Sequence, residues 1–334
     1  MKKKLSLGLA MILCLGALSG CGGSDDGTPK PISVSVVSGS MSENTPAGVG
    51  VKTLVEKLNE YSGGTIEATA YYDTALGDAK SMVQSLQNGT VDIGVAGSSY
   101  FSSIVPEVQV LELPYMFDSY EQARTIVDGE IGQELLDMFE AKNMIGLSFW
   151  EIGFRQLSNK DKDIVNVEDV KGLKMRTLTA PVQVALWESY GALPTSIDSS
   201  ELYTSLQQGV IDGQENPLSE IVTKKLYEVQ PHVSMTSHVY TPMVLGMSKL
   251  TYDKFDDAQK EALDKAVAEA TKASRDMVNQ MEADGLVALQ EAGVSIVTEP
   301  NIDEFKEIGK ESYAIFTEKY GDELINKINT AKGE

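Results

Sequence analysis

Two arginines stand beside hydrophobic runs in a strongly acidic chain, and their chemistry calls for an anionic partner. Arg155 follows Phe154, and Arg176 ends the run Lys171–Arg176. A guanidinium group is planar and binds a carboxylate through two parallel hydrogen bonds, most strongly where water is excluded. Asn216 adds an amide that both donates and accepts hydrogen bonds. This pattern predicts an anion-binding site, with a structural ion pair as the alternative role for each arginine.

The charge balance limits which partners such a site can serve. The chain has 28 basic and 49 acidic residues, which gives a formal net charge of -21. This field repels nucleic-acid phosphates, so nucleic acid is not expected as a partner. It also repels an anionic ligand at long range. Such a ligand therefore has to be held by local positive charge, which the two arginines supply.

The N-terminal segment is typical of an export signal. Lys2–Lys4 precede an apolar run, Leu5–Leu18, that is shorter than the roughly 20 residues of a membrane-spanning helix. The Leu-Ser-Gly-Cys sequence ending at Cys21 resembles the lipobox of bacterial lipoproteins, in which that cysteine is acylated after cleavage. We expect a signal peptide over 1–20, lipidation of Cys21, a flexible tether over 21–31 and an extracytoplasmic, lipid-anchored protein. An ordinary secretory signal is the alternative.

Motifs for catalysis or metal binding are absent from the sequence. Its two histidines, His232 and His238, are predicted to be a surface loop residue and a structural residue. No HExxH spacing, glycine-rich phosphate loop or GxSxG turn is present. We therefore expect a binding protein and not an enzyme, with no cofactor and no metal. An adhesive or structural lipoprotein is the alternative from another class.

The body of the chain begins with alternating strand and helix patterns. The predicted order is strand, helix, strand, helix, strand, at Ile32–Val37, Gly48–Tyr61, Thr65–Tyr72, Asp78–Asn88 and Val91–Ala96. This spacing is typical of a βαβαβ unit with a mainly parallel sheet. Ligands usually bind at the carboxyl ends of such strands, so Ser38–Ser42 and Gly97–Tyr100 are predicted ligand loops.

A second set of strands and helices follows Trp150. The predicted elements are strands and helices in alternation, at Leu173–Leu178, Pro181–Tyr190, Leu193–Ile197, Ser199–Gln208 and Val210–Asp212. The two sets meet at Trp150–Arg155, where we predict a hinge. The expected lobes cover 32–153, with part of 239–285, and 154–238, with part of 286–334.

Two later segments are predicted to tie the lobes together. Val239–Met247 has the pattern of a strand returning toward the first lobe. An amphipathic helix at about 256–292 is on the order of 50 Å long, which is enough to cross both lobes. The predicted fold is α/β, with two lobes, two mixed and mainly parallel sheets, a hinge and a long spine helix.

Several motifs together resemble the signature of the DctP-type substrate-binding proteins of TRAP transporters. The stronger ones are Gly153–Arg155, Lys171–Arg176, Ser200–Tyr203 and Gly209–Pro217, and the supporting ones are Leu76–Gly77, Leu113–Phe117 and Tyr227–Gln230. They occur in the order found in the family. The resemblance runs from about residue 33 to 330 of this chain.

The resemblance implies a receptor that closes around an organic acid and delivers it to a permease with small and large membrane subunits. Arg176 matches the arginine that pairs with the ligand carboxylate, Arg155 the second arginine, and Asn216 a polar contact. Ser98 falls in the loop that often meets the far end of the ligand. Tyr240 lies near the hinge and is a further candidate for ligand contact.

Two departures bear on the ligand that the resemblance implies. Sialic-acid receptors of this family carry a glutamate where Gly97 stands and a phenylalanine where Ser199 stands, so sialic acid is not expected. Small, polar residues at these positions favour a smaller hydroxylated acid, such as a hexuronate or an aldonate. A C4-dicarboxylate or another small carboxylate is the alternative ligand.

Overall fold

The structure is a computed structural model that describes residues 30–333. The predicted signal peptide, most of the predicted tether and Cys21 lie outside the described residues. Pro31–Glu334 form one compact unit. Within the described part of the chain, no helix combines the length and the apolar character that a membrane crossing requires.

The strands form two sheets, as predicted. In chain order they are β1 (Ile32–Val37), β2 (Ile66–Tyr71), β3 (Ile93–Gly97), β4 (Met144–Phe154), β5 (Gln156–Asn159), β6 (Lys174–Thr177), β7 (Leu193–Ser196), β8 (Gly213–Asn216), β9 (His232–Ser234), β10 (Tyr240–Ser248) and β11 (Ser295–Val297). The first sheet has the order β2-β1-β3-β10-β4, and the second has the order β11-β9-β5-β8-β6-β7. We call the parts of the molecule built on these sheets the first lobe and the second lobe.

Helices cover the faces of both sheets. In chain order they are α1 (Pro46–Tyr61), α2 (Ala79–Asn88), α3 (Ser98–Phe101), α4 (Tyr120–Val127), α5 (Glu130–Asp137), α6 (Pro181–Ser189), α7 (Leu202–Gln207), α8 (Leu218–Thr223), α9 (Lys249–Tyr252), α10 (Asp257–Glu291), α11 (Ile302–Gly309), α12 (Tyr313–Tyr320) and α13 (Glu323–Lys332).

The first sheet contains the predicted βαβαβ unit. β1 pairs in parallel with both β2 and β3. β10 then returns from later in the chain and pairs antiparallel with β3 and β4, as its sequence pattern predicted. Every residue of β10 is buried because the strand lies inside the sheet. The first sheet is therefore mixed.

One strand of the second sheet lies further along the chain than predicted. The predicted strand Val210–Asp212 is wrong, because Val210 is 54% exposed while all residues of β8 are buried. Gly209 has a φ of +68°, a conformation that favours glycine, and it turns the chain before pairing begins. β8 then pairs antiparallel with β5 and parallel with β6. Asn216 is thus the last residue of a strand.

The chain passes from the first sheet to the second at Arg155. β4 ends at Phe154, β5 begins at Gln156, and the Arg155 amide donates to the Val239 carbonyl at 2.8 Å. Gly153 has a φ of +129°, and a Cβ there would lie 2.6 Å from the Tyr120 hydroxyl. The sharp turn between the sheets therefore requires glycine. Whether the junction acts as a hinge stays a prediction.

α10 is the predicted long helix, and it packs against both lobes. A capping box between Asp256 and Gln259 begins the helix. Its N-terminal part buries Leu263 and Ala266 in the core of the first lobe. Its C-terminal part contacts the second lobe, where a Cβ added at Gly285 would lie 3.0 Å from the Leu218 side chain. The glycine allows the helix to pass close to α8.

The C-terminal helices also divide between the lobes. Phe305 of α11 packs in a core of the second lobe, with its ring 5.2 Å from that of Tyr190. Ile325 and Ile328 of α13 are buried in a core of the first lobe instead. The expected assignment of part of 286–334 to the second lobe therefore applies to α11, while α13 packs on the first.

Candidate ligand-binding site

A cavity lies between the two lobes, at the ends of their strands. Both predicted ligand loops contribute to its wall. The polar and charged lining residues come from both lobes and are Ser38, Ser40, Ser99, Tyr100, Arg155, Arg176, Ser199, Asn216, Glu220 and Thr241. Two distant halves of the sequence therefore meet in one polar space.

Arg176 is a buried cation that has no anionic partner in the part of the chain that the structure describes. It lies on β6, its side chain is 1% exposed, and its Nε donates to the Ile197 carbonyl at 2.8 Å. Within residues 30–333 no carboxylate lies within 4.0 Å of its guanidinium. Burial is the largest cause that lowers the pKa of Arg176, and the nearby Arg155 charge adds to it. A buried charge without a partner is costly, so the site favours an entering anion.

Arg155, by contrast, is neutralised inside the protein. Its Nε and Nη2 donate to the Glu215 carboxylate, and both side chains are almost fully buried. Nη2 also donates to Asn216 Oδ1 at 2.9 Å, and Nη1 donates to Thr241 Oγ1 at 3.2 Å. The structural ion pair considered as an alternative therefore describes Arg155, although the residue also lines the cavity.

Glu215 connects Arg155 to a buried histidine. Burial alone opposes ionisation of Glu215, but the Arg155 charge and the His238 hydrogen bond outweigh it and lower the pKa of this carboxyl. His238 Nε2 lies 3.2 Å from Glu215 Oε2, and Nδ1 lies 2.8 Å from Thr236 Oγ1. Burial lowers the pKa of His238, against the opposing effect of Glu215. The histidine is therefore neutral near pH 7, as a structural residue.

The other histidine lies away from the cavity. His232 was predicted to lie in a surface loop, but it begins β9 and is half-buried. Its Nδ1 lies 2.8 Å from Asp163 Oδ1. Pairing of β9 with β5 and β11 explains the difference, because both neighbours come from distant parts of the chain.

Two of the predicted site residues do not line the cavity. The Ser98 hydroxyl donates to the buried carboxylate of Glu112, on the far side of the loop from the cavity lining. The Tyr240 hydroxyl donates to Glu151 Oε2 at 2.6 Å, and its ring packs against Phe154. The adjacent Ser99, and not Ser98, lines the cavity from this loop.

Sequence reasoning placed Ser99 in a predicted ligand loop without singling it out, and it missed Glu220. Both line the cavity, and Ser99 Oγ and Glu220 Oε1 are buried and find no hydrogen-bond partner among the described residues. Glu220 lies four residues after Asn216, in α8, and Lys224 follows Glu220 by one helical turn. This i, i+4 spacing was the available signal, because it indicates a paired acid near the predicted site.

Hydrogen bonds connect the lobes across the cavity. The Tyr100 hydroxyl of the first lobe donates to Asp198 Oδ2 of the second at 3.2 Å. Burial raises the pKa of Tyr100 to about 12, so the hydroxyl remains a donor at neutral pH. Thr179 Oγ1 donates to the Ser99 carbonyl at 3.4 Å. The conformation is therefore one in which the lobes contact each other around the cavity.

Comparison with known proteins identifies the family. The model for DctP, the bacterial extracellular solute-binding protein family 7, matches residues 37–319. The chain belongs to this family. The prediction from the motifs is confirmed, and the protein is a solute-binding receptor of an extracytoplasmic family and not an enzyme.

Individual relatives resemble this chain over most of its length. A solute-binding protein of Verminephrobacter eiseniae is 34% identical over 295 residues, covering 88% of each chain. A TRAP periplasmic solute-binding protein from Polaromonas, solved with D-erythronate, has a TM-score of 0.87 and 35% identity, covering 91% of this chain and 100% of that one. One from Sulfurospirillum deleyianum, solved with succinate, has a TM-score of 0.85 and 31% identity, with the same coverage.

Proposed function

We propose that this protein is a receptor that binds a hydroxylated organic acid between its lobes and delivers it to a TRAP permease. Arg176 is the observation that carries the proposal. It is a buried guanidinium that lines the cavity and has no carboxylate partner in the described chain. A ligand carboxylate supplies the missing charge and accepts two parallel hydrogen bonds.

The preferred ligand class is a sugar acid, such as an aldonate or a hexuronate. The polar lining supports this class, since hydroxyl groups at Ser38, Ser40, Ser99 and Ser199 match a ligand rich in hydroxyls. The D-erythronate complex of the Polaromonas relative also supports it. A small dicarboxylate is the alternative, supported by the succinate complex of another relative.

The proposed contacts follow the geometry of the cavity. Arg176 binds the carboxylate, and Asn216 and the remaining N–H of Arg155 approach the same end of the ligand. Ser99 takes the role that the sequence suggested for Ser98. Tyr240 acts indirectly, through packing against Phe154 at the lobe junction.

A ligand screen with a matched arginine pair tests this function. We expect sugar acids to raise the melting temperature, because a ligand that binds only the folded protein stabilises it. The Arg176→Met variant loses this shift. The Arg275→Met variant also loses an arginine, one that pairs with Asp128 outside the cavity, and it keeps the shift. No stabilisation by any organic anion would contradict the receptor proposal and favour an adhesive or structural role.

The proposed partners in the membrane are the small and large permease subunits and the lipid bilayer itself. The lipid anchor at Cys21 is supported by the lipobox resemblance in the sequence. We expect the full-length protein to sediment with membranes and the Cys21→Ser variant to appear in the soluble fraction. Equal sedimentation of the two proteins would contradict the anchor while leaving ligand binding untouched.

A further inference from the structure

Glu220 is a buried carboxylate in the cavity wall that is only half satisfied. Its Oε2 pairs with Lys224 Nζ at 2.8 Å. Its Oε1 is buried and has no hydrogen-bond partner in the described chain. The side chain is 3% exposed, whereas the equally spaced pair Glu261 and Lys265 on α10 has side chains 69% and 61% exposed. The exposed carboxylate of Glu261 can accept hydrogen bonds from water, but the buried Oε1 of Glu220 cannot. A buried oxygen without a donor is unfavourable, so a ligand that supplies a donor is favoured there.

The balance of charges around the cavity favours the binding of one anionic group. Arg155 is neutralised by Glu215, and Lys224 is neutralised by Glu220. Arg176 is the lining cation with no carboxylate within 4.0 Å among residues 30–333. One ligand carboxylate balances it. A second carboxylate would meet Glu220, a like charge in a site that excludes water, where repulsion is strong.

We infer that Glu220 determines ligand specificity: it accepts hydrogen bonds from ligand hydroxyls and excludes a second carboxylate. Ser99, on the opposite lobe, has an unpartnered buried hydroxyl and provides a second hydroxyl contact. The inference rests on the proposed receptor function and narrows its substrate class to polyhydroxy monocarboxylates. A carboxylate is a strong acceptor for O–H donors, and unpaired polar groups in a site discriminate strongly against ligands that leave them unpaired.

Acids that differ at one terminal group separate the two roles of Glu220. D-erythronate and meso-tartrate share a four-carbon hydroxylated chain, and they differ in ending with a hydroxymethyl group or a second carboxylate. Galactonate and galactarate form the corresponding six-carbon pair. Calorimetric titration gives the affinity of the wild-type protein for each acid. Within the pair that the protein binds, we expect the affinity for the monocarboxylate to be on the order of 100-fold higher than for the dicarboxylate.

The Glu220→Gln variant should reduce this preference. It removes the repulsion and frees Lys224, so monocarboxylate affinity falls on the order of tenfold while dicarboxylate affinity rises. The Glu261→Gln variant makes the same change in an exposed pair and should match the wild type in both affinities. The Glu220→Asp variant keeps the negative charge, so it should still exclude the dicarboxylate. The Glu220→Asp variant keeps the test valid if Glu220→Gln does not fold.

The results distinguish failure of this inference from failure of the proposed function. If monocarboxylates bind through Arg176 but Glu220→Gln keeps the wild-type preference, the specificity role is wrong and the receptor function stands. Loss of discrimination in Glu220→Asp would also overturn it, as would a wild-type preference for the dicarboxylate. If no organic acid binds the wild type at all, the receptor function itself fails.

Discussion

Arg155 and Arg176 are both buried and both line the cavity, but the groups around their guanidiniums differ. Arg155, at the lobe junction, donates to Glu215, Asn216 and Thr241 and forms part of the protein's internal charge balance. Arg176, on a strand of the second lobe, donates from Nε to one carbonyl and forms no ion pair with any residue in 30–333. Burial and charge alone therefore do not distinguish an arginine that is paired inside the protein from one that is available to an entering anion. The presence of an internal counter-ion does.

The largest predicted effect is on Arg155. We expect Arg155→Met to lower the free energy of unfolding by about 3–5 kcal/mol, because it leaves Glu215 buried without its main counter-ion. Urea denaturation of the ligand-free protein measures this change. The double variant Arg155→Met/Glu215→Leu removes both charges and should recover much of the loss. A single variant as stable as the wild type would contradict the structural role of Arg155.

Arg176 should behave in the opposite way. We expect Arg176→Met to retain the ligand-free stability, since it removes an unpaired buried charge, and to weaken ligand binding by about 3 kcal/mol, or more than roughly 100-fold. Urea denaturation and calorimetric titration of the same preparation check both expectations. Loss of stability comparable to that of Arg155→Met would mean that the two arginines do not differ as proposed.

The same comparison extends to two buried carboxylates. Glu215 has Arg155 and His238 beside it, whereas burial raises the pKa of Glu112 to about 7, with Ser98 opposing the shift by hydrogen bonding. Between pH 4.5 and 7 the folded protein keeps a proton on Glu112 that the unfolded chain releases. Stability should therefore fall as pH rises through this range, by on the order of 2–3 kcal/mol from this group.

Denaturation at pH 5 and pH 8 isolates the contribution of Glu112. We expect Glu112→Gln to lose less stability than the wild type between the two pH values, because the amide carries no charge. Glu261→Gln, on an exposed helix face, should follow the wild-type profile. Parallel profiles for the wild type and Glu112→Gln would show that Glu112 titrates normally.

The smallest predicted effect concerns the contact between the lobes. Tyr100→Phe removes the hydrogen bond to Asp198 and leaves the ring in place. We expect ligand affinity to fall by about 1 kcal/mol with little change in the ligand-free stability. Calorimetric titration gives the affinity, and small-angle scattering shows whether the ligand-bound variant is as compact as the wild type. An unchanged affinity would mean that this hydrogen bond does not favour the closed conformation.

Much of the fold follows from local pattern. Strand and helix periodicity predicted β1, β2 and the long helix α10, because each buries one face, and apolar runs predicted β3 and β10, which are buried throughout. The prediction of a strand at Val210–Asp212 was wrong because the apolar residues of this segment occupy a turn. The polar sequence of β8 is instead buried between two neighbouring strands. A polar strand is stable there because its side chains find partners, such as Ser158 for Gln214 at 2.6 Å.

The sequence by itself determined the family and the two-lobed α/β architecture, and it singled out Arg155, Arg176 and Asn216 as candidate site residues, because motifs and periodicities are local. Only the tertiary structure decided that Glu215 neutralises Arg155, that Ser99 lines the cavity in place of Ser98, and that Glu220 lines the cavity with one oxygen unpaired among residues 30–333. The physical reason is that electrostatic and hydrogen-bond partners are chosen by distance in space. Arg155 and Glu215 are 60 residues apart in sequence and in direct contact in the fold.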